Sequence, residues 1–301
     1  MFNSIPSKTT ALLAALIVLL VIFVTYLFLP SKNKIPEKFK SKQYEITRIV
    51  MESKFSIHKR TVFIYVPVNF KESPNTLVIY KTDGLGYLEH WLKSIEVLTA
   101  ARVITAPIIV NIGNGDERKF ELLAPFLPSD HFDNSPSAEK GRADALLKFI
   151  EFELMPLIES KYSQSRFNVI AGHSYGGMFS LYALLERPSL FTAYLAFSPS
   201  LWIGHGVMVE KLQNMNNLDE MNIYAYLSRG EKEHAGFLPL KEQKQLVEHY
   251  NSLDAFFKQH SSKNIYWRYD VIPETGHGNT PIVSVPSALA EIFGLIGNNK
   301  L

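Results

Sequence analysis

Cysteine is absent from this 301-residue chain. That excludes disulfides, thiolate metal sites and a cysteine nucleophile. Net charge is nearly absent as well: 31 basic residues against 29 acidic ones leave a formal charge of +2. The lysines before residue 45 account for more than this excess, so no basic face for nucleic acid is expected. No internal repeat is found, and no low-complexity tract beyond one lysine-rich stretch. What is present is a hydrophobic fraction of 47% beside 20% charged residues, ordinary for a globular protein with a sizeable core. The length allows one large domain or two ordinary ones.

The first residues differ from the rest. After a short tail at 1–8, Thr9 to Leu29 is an uncharged apolar run with no polar face, long enough at about 20 residues to cross a hydrocarbon core as a helix. It ends in bulky residues, Tyr26-Leu27-Phe28-Leu29-Pro30, rather than in a small-residue cleavage site. An uncleaved membrane anchor is therefore expected, in preference to a cleaved signal peptide. Residues 30–42 carry Lys32, Lys34, Lys38, Lys40 and Lys42 with two prolines and read as a solvated linker. Those lysines, counted by the positive-inside rule, would hold the following domain in the cytoplasm.

From residue 43 to 301 strand-like and helix-like stretches alternate. Tyr44 to Phe55 and Thr61 to Val66 alternate as antiparallel strands do. Short continuous apolar runs follow at 76–80, 107–113, 167–172, 193–198, 223–228 and 265–272, the pattern of strands covered on both faces. Between them, Ala143 to Tyr162 carries an apolar stripe at steps of three and four, with Pro156 expected to kink it or mark its last turns. Further helices are expected at 177–186, 242–258 and 284–296. This order predicts one α/β domain with a mostly parallel central sheet and helices on both faces.

Gly172-His173-Ser174-Tyr175-Gly176 matches G-x-S-x-G between a buried strand and a helix, where a nucleophilic serine sits on a sharp turn. Serine needs a base, and the base an orienting acid, which in α/β-hydrolases follow the serine in the order acid, then histidine. His58, His90 and His131 precede Ser174, and His173 adjoins it and points elsewhere. His249 and His260 belong to a helix and its end, His234 lies among the candidate acids, and His205 has no strand-end carboxylate before it. His277, in a glycine-containing loop between the last strand and the last helix, fits best. The acid should follow the strand at 223–228, where Glu233 is preferred and Glu231 is the alternative. Two backbone donors are needed for the oxyanion. Tyr175, next to the serine, supplies one, and the Asp83-Gly84-Leu85 turn presents the other at Leu85.

Several stretches together, among them "YKTDGLGYL", "NGDERKFELLAP", "SRGEKE", "TGHGN" and the elbow segment ending in Ser198-Pro199-Ser200-Leu201-Trp202, resemble the putative-esterase family of α/β-hydrolases. That family includes siderophore esterases, esterase D-like enzymes and mycolyltransferases. The resemblance covers roughly residues 45–297. It implies cofactor-free and metal-free hydrolysis of a small-molecule ester by Ser174, His277 and one of the two glutamates after Gly230. An N-terminal anchor is not a general feature of the family, but the periplasmic siderophore esterases resemble this arrangement, which implies an extracytoplasmic catalytic domain against the lysine count. Lys81-Thr82 depart from it, standing where the family has apolar residues before Asp-Gly. Acyl transfer, or a catalytically inactive binding module, would use the same pocket. Trp202 and Tyr87, with Tyr175 and Trp91, are expected to wall the cleft.

Overall fold

The computed structural model describes residues 35–301, except 57–58, 74, 115–117, 128–139, 163–166, 217, 219–220, 234–237 and 261–263. The expected tail at 1–8 and anchor at 9–29 lie outside the described residues, as do His58, His131 and His234.

The two alternating stretches become β1 (Tyr44–Met51) and β2 (Arg60–Pro67), paired antiparallel from Tyr44 opposite Pro67 to Met51 opposite Arg60. The apolar runs become β3 (Leu77–Lys81), β4 (Ile108–Ile112), β5 (Phe167–His173), β6 (Ala193–Phe197), β7 (Ile223–Gly230) and β8 (Ile265–Ile272). Strand order is β1-β2-β4-β3-β5-β6-β7-β8. β2 meets β4 antiparallel, and every pairing from β4 to β8 is parallel. Every residue of β3, β4, β6 and β7 is buried, which is why those runs lack the polar alternation of the edge strand β1.

Among the described residues eight α-helices accompany the strands: α1 (Leu88–Ala100), α2 (Arg118–Leu122), α3 (Ala143–Phe149), α4 (Met155–Lys161), α5 (Tyr175–Glu186), α6 (Val207–Gln213), α7 (Leu240–His260) and, after the last strand, α8 (Thr280–Gly297). α5 lies on β5 and β6 with α2, α3 and α6 beside it, while α8 packs on β6 to β8 and against α1. Alternate strand residues serve the two layers. Val78, Tyr80 and Ile170 join Leu146, Leu181 and Leu253 in one core, and their neighbours Leu77, Ile79 and Val169 are buried outside it. α8 with the turn before it is apolar and long enough to cross a membrane by composition, yet Val285, Ala288, Leu289 and Ile292 are buried in the protein.

The stripe over 143–162 holds, but not as one regular helix. Ile150–Leu154 takes a π-helical turn, and Pro156 then stands in the first turn of α4. Proline lacks the N–H for a bond to the preceding turn, and the wider turn absorbs the lost register. Packing also reaches back beyond the expected start at 43. The compact unit begins at Glu37, with Phe39 buried and its carbonyl accepting from Tyr65 Oη at 3.1 Å.

One buried ion pair ties the sheet to the loops above it. Arg60 of β2 grips Glu121 of α2 with two hydrogen bonds of 2.9 and 2.8 Å. Asn114 Nδ2 donates to the same carboxylate at 3.3 Å, and its Oδ1 accepts from Asp83 N at 3.0 Å. Arg60→Met leaves that carboxylate buried without its cation and is expected to cost about 3–5 kcal/mol in urea unfolding. Lys258→Met, which removes the exposed pair with Asp254, should cost less than about 1 kcal/mol. Equal losses in the two variants would refute this role for Arg60.

Candidate active site

β5 ends at His173 and α5 begins at Tyr175, so Ser174 alone makes the turn, at φ 59° and ψ −115°. A non-glycine residue at such angles costs of order 1–3 kcal/mol and needs its surroundings to hold it. Here Ser174 N donates to Phe197 O at 3.0 Å, and Met178 N donates to Ser174 O at 3.0 Å. The glycines are a steric requirement. A Cβ on Gly172 would stand 2.3 Å from the Gly176 carbonyl carbon, and one on Gly176 would stand 2.4 Å from Thr82 Oγ1. Ser174 stays partly open, with its Oγ 3.1 Å from Ser200 Oγ.

His277 opens a short 3-10 turn, His277–Asn279, between β8 and α8. Its Nδ1 lies 2.5 Å from Glu233 Oε1. An ionised carboxylate only accepts, so Nδ1 is the donor of this contact, which in a neutral imidazole places the lone pair on Nε2. Glu233 is buried just past β7, and its other oxygen accepts from Ser198 Oγ at 2.9 Å and from Gly230 N at 2.8 Å. Glu231, the alternative acid, is exposed and accepts from Glu274 N at 3.0 Å instead. Two residues apart in a tight loop, the two glutamates face opposite ways.

His173 was expected to point elsewhere; it does not act at a distance from the site but supports it. Its Nε2 donates to His277 O at 2.9 Å, and the two rings lie 4.6 Å apart. Burial, reinforced by the nearby His277, pushes the His173 pKa down to about 4, so it stays neutral. Tyr87, expected on the pocket wall, stacks edge-on against His173 at 4.9 Å and donates its hydroxyl to Gly278 O at 2.8 Å. Together they hold the backbone of the loop that carries His277.

The turn after β3 is closed by Gly86 N donating to Asp83 O at 3.0 Å, while Gly84 N donates to Ile112 O at 2.8 Å. Between them, the amide of Leu85 has no hydrogen-bond acceptor among the described residues. A polar group left open on a half-buried turn is available to a ligand. Tyr175 is the first residue of α5, where backbone N–H groups lack intrahelical acceptors. Asp83 braces both sides: Arg118 Nε lies 2.5 Å from its Oδ1, and the same guanidinium sits 5.1 Å over the Tyr175 ring and donates to His173 O at 3.3 Å. Arg118, Ser198 and Ser200 are not singled out from sequence, although all three stand in quoted stretches, Arg118 in "NGDERKFELLAP" and the two serines in the segment at 198–202.

Trp202 lines a cavity of about 280 Å³ with His205, Glu242, Gln245, Leu246 and His249. Trp91 is core, packed on Phe197 with ring centres 6.0 Å apart. His260 is exposed, with its Nδ1 2.8 Å from Phe256 O. Among the described residues, no group of three or more His, Asp or Glu side chains is placed to hold a metal ion.

The model of the family described as Putative esterase matches residues 53–275. Over 135 residues the chain is 37% identical to a siderophore enterobactin esterase of Emericella nidulans, covering 42% of this chain and 44% of that protein. It is 32% identical over 145 residues to the ferri-bacillibactin esterase BesA of Bacillus subtilis, covering 42% of this chain and 48% of that one. The chain spans about half the length of these curated relatives. The crystal structure of the BES protein from Bacillus cereus superposes with a TM-score of 0.71 at 22% identity, over 86% of this chain and 97% of that one.

The low pKa of His173 has a consequence for stability. Below pH 6.5 the unfolded chain protonates this residue, whereas the folded chain does not until about pH 4. The unfolded state therefore binds more protons in that window, and stability falls as pH drops through it. Thermal unfolding of the wild type should be more pH-dependent between 6.5 and 4 than that of His173→Gln. Equal slopes would contradict a neutral buried His173.

Proposed function

The chain belongs to the Putative esterase family, and on that premise we propose that it is a serine esterase working through Ser174, His277 and Glu233. The observation that carries this reading is the 2.5 Å contact between His277 Nδ1 and a Glu233 carboxylate whose other oxygen is already occupied. A carboxylate so held fixes one tautomer of the imidazole and offsets the positive charge it acquires.

In the proposed reaction Ser174 Oγ attacks the ester carbonyl carbon as His277 Nε2 takes its proton. The carbonyl oxygen becomes an oxyanion facing the amides of Tyr175 and Leu85. The intermediate collapses when His277 returns the proton to the departing alkoxide, which leaves as alcohol and creates an acyl-serine. Water then attacks the acyl carbon, giving its proton to His277, and the second collapse releases the acid and restores the Ser174 hydroxyl. The substrate class we propose is a small siderophore-type ester, supported by the names of the two relatives above. In this reading residues 9–29, by their length and lack of charge, anchor the protein in a membrane with the catalytic unit on the extracytoplasmic side.

The full-length protein should hydrolyse p-nitrophenyl butyrate and a catecholate triester, and its activity should stay with the membrane fraction after carbonate washing. Ser174→Ala should fall to background. Glu233→Gln should lose roughly 10³–10⁴-fold in kcat, because the amide can no longer hold the tautomer. Glu231→Gln should remain close to wild type. Full activity in Ser174→Ala would overturn the proposal; equal effects of the two glutamine variants would overturn the acid assignment; and activity released by carbonate would overturn the anchor.

A further inference from the structure

One charged group in the core has no part in the chemistry just described. Lys81 ends β3, a strand otherwise wholly apolar, and its side chain is only 3% exposed. It makes no ion pair with a carboxylate among the described residues. Its three protons go to Gly84 O at 2.8 Å, Thr82 O at 3.0 Å and Asn111 Oδ1 at 3.3 Å. A buried ammonium on neutral acceptors is an expensive way to fill a strand end that methionine or leucine could occupy.

Its acceptors explain its position. Gly84 C=O and Leu85 N–H belong to one planar trans peptide, so they point in opposite directions. That peptide is the centre of the turn closed by Gly86 N and Asp83 O, and turns of this kind interconvert by inverting their central peptide. Gly84, at φ 52°, imposes little steric preference of its own. With the ammonium drawing Gly84 O inward, Leu85 N–H is turned outward, where it has no acceptor among the described residues. The same bond withdraws electron density along the peptide and makes that N–H a stronger donor.

We infer that Lys81 is a positioning residue for the oxyanion site: its ammonium locks and polarises the Gly84–Leu85 peptide so that Leu85 N–H meets the charge that develops on the carbonyl oxygen. This inference rests on the serine-esterase reading and deepens it. The benefit falls on the transition state rather than on substrate binding, because only there is the oxygen negative. Burial brings the Lys81 pKa down to about 8, with Asp83 on the turn acting against that shift and Arg118 from α2 adding to it. Asn111 of β4 faces the ammonium as a neutral group.

Lys81→Met keeps the stem and removes the charge, and Lys81→Gln keeps an N–H donor group without charge. Both are to be made in the full-length protein, with circular dichroism and thermal melting to establish folding. In Lys81→Met, kcat for p-nitrophenyl butyrate should fall about 10- to 100-fold while KM stays within about twofold. Affinity for phenylboronic acid, whose tetrahedral serine adduct resembles the intermediate, should fall by the same factor as kcat. Lys81→Gln should lie between Lys81→Met and wild type. A folded Lys81→Met with wild-type kcat, a loss carried by KM, or unchanged boronate affinity would each overturn the inference. If Lys81→Met does not fold, Lys81→Gln decides by the same readouts. If neither folds, the wild type decides: kcat falling as pH rises through about 8 supports the inference, and a flat profile to about pH 10 overturns it. Ser174→Ala separates the two levels of the account. Its inactivity beside a fully active Lys81→Met defeats this inference alone, whereas its activity defeats the serine-esterase reading and this inference with it.

Discussion

The site depends on one buried carboxylate. Glu233 stands just past β7 and accepts from Ser198 just past β6, from Gly230 at the end of β7 and from His277 beyond β8. Three adjacent parallel strands thus deliver three donors to one anion, and the neighbouring strand β5 delivers Ser174. A buried anion is tolerated only when its oxygens are satisfied, so the loops must converge wherever Glu233 sits. The close approach is visible at Gly230, where a Cβ would stand 2.0 Å from Thr275 O. The parallel order of the sheet and the geometry of the site are therefore one constraint.

Strain gathers around the same point. Asp83, Tyr87, Ser174 and Ser198 all have positive φ, although none is glycine. Each such residue costs of order 1–3 kcal/mol, and the two-layer core on either side of the buried strands is what makes that cost bearable. Hydrogen bonds hold these residues in place: Ser198 N to Ser228 O at 2.7 Å, Asp83 N to Asn114, Ser174 N to Phe197 O. Buried charge reaches the turn from two directions, from Arg60 and Glu121 through Asn114, and from Lys81 directly.

Much of this arrangement was legible in the sequence because it follows local rules. Apolar runs uninterrupted by polar residues mark strands covered on both faces, and all six such runs became strands within a few residues of their expected bounds. The elbow glycines and the order of serine, glutamate and histidine along the chain pointed to residues that the fold draws toward one edge of the sheet. Helices α1, α2 and α6 escaped, two of them because five and seven residues are too few to show a period. The choice between Glu231 and Glu233 also escaped a firm reading, because it depends on which way a tight loop faces after Gly230. His173 and Lys81 were visible as residues, but their roles rest on contacts to backbone carbonyls, which leave no pattern in a sequence.

These contacts make the site a set of backbone groups held in advance, with few side chains left to reorganise. The central claim is that Ser174 is the reacting atom's residue and that Tyr175 and Leu85 receive the oxyanion. The most direct measurement is a crystal structure of the full-length protein after reaction with a fluorophosphonate. The account predicts phosphorus bonded to Ser174 Oγ, the phosphoryl oxygen within hydrogen-bond distance of the Tyr175 and Leu85 amides, and His277 still bound to Glu233. A serine left unmodified, or a phosphoryl oxygen turned away from those amides, would contradict it.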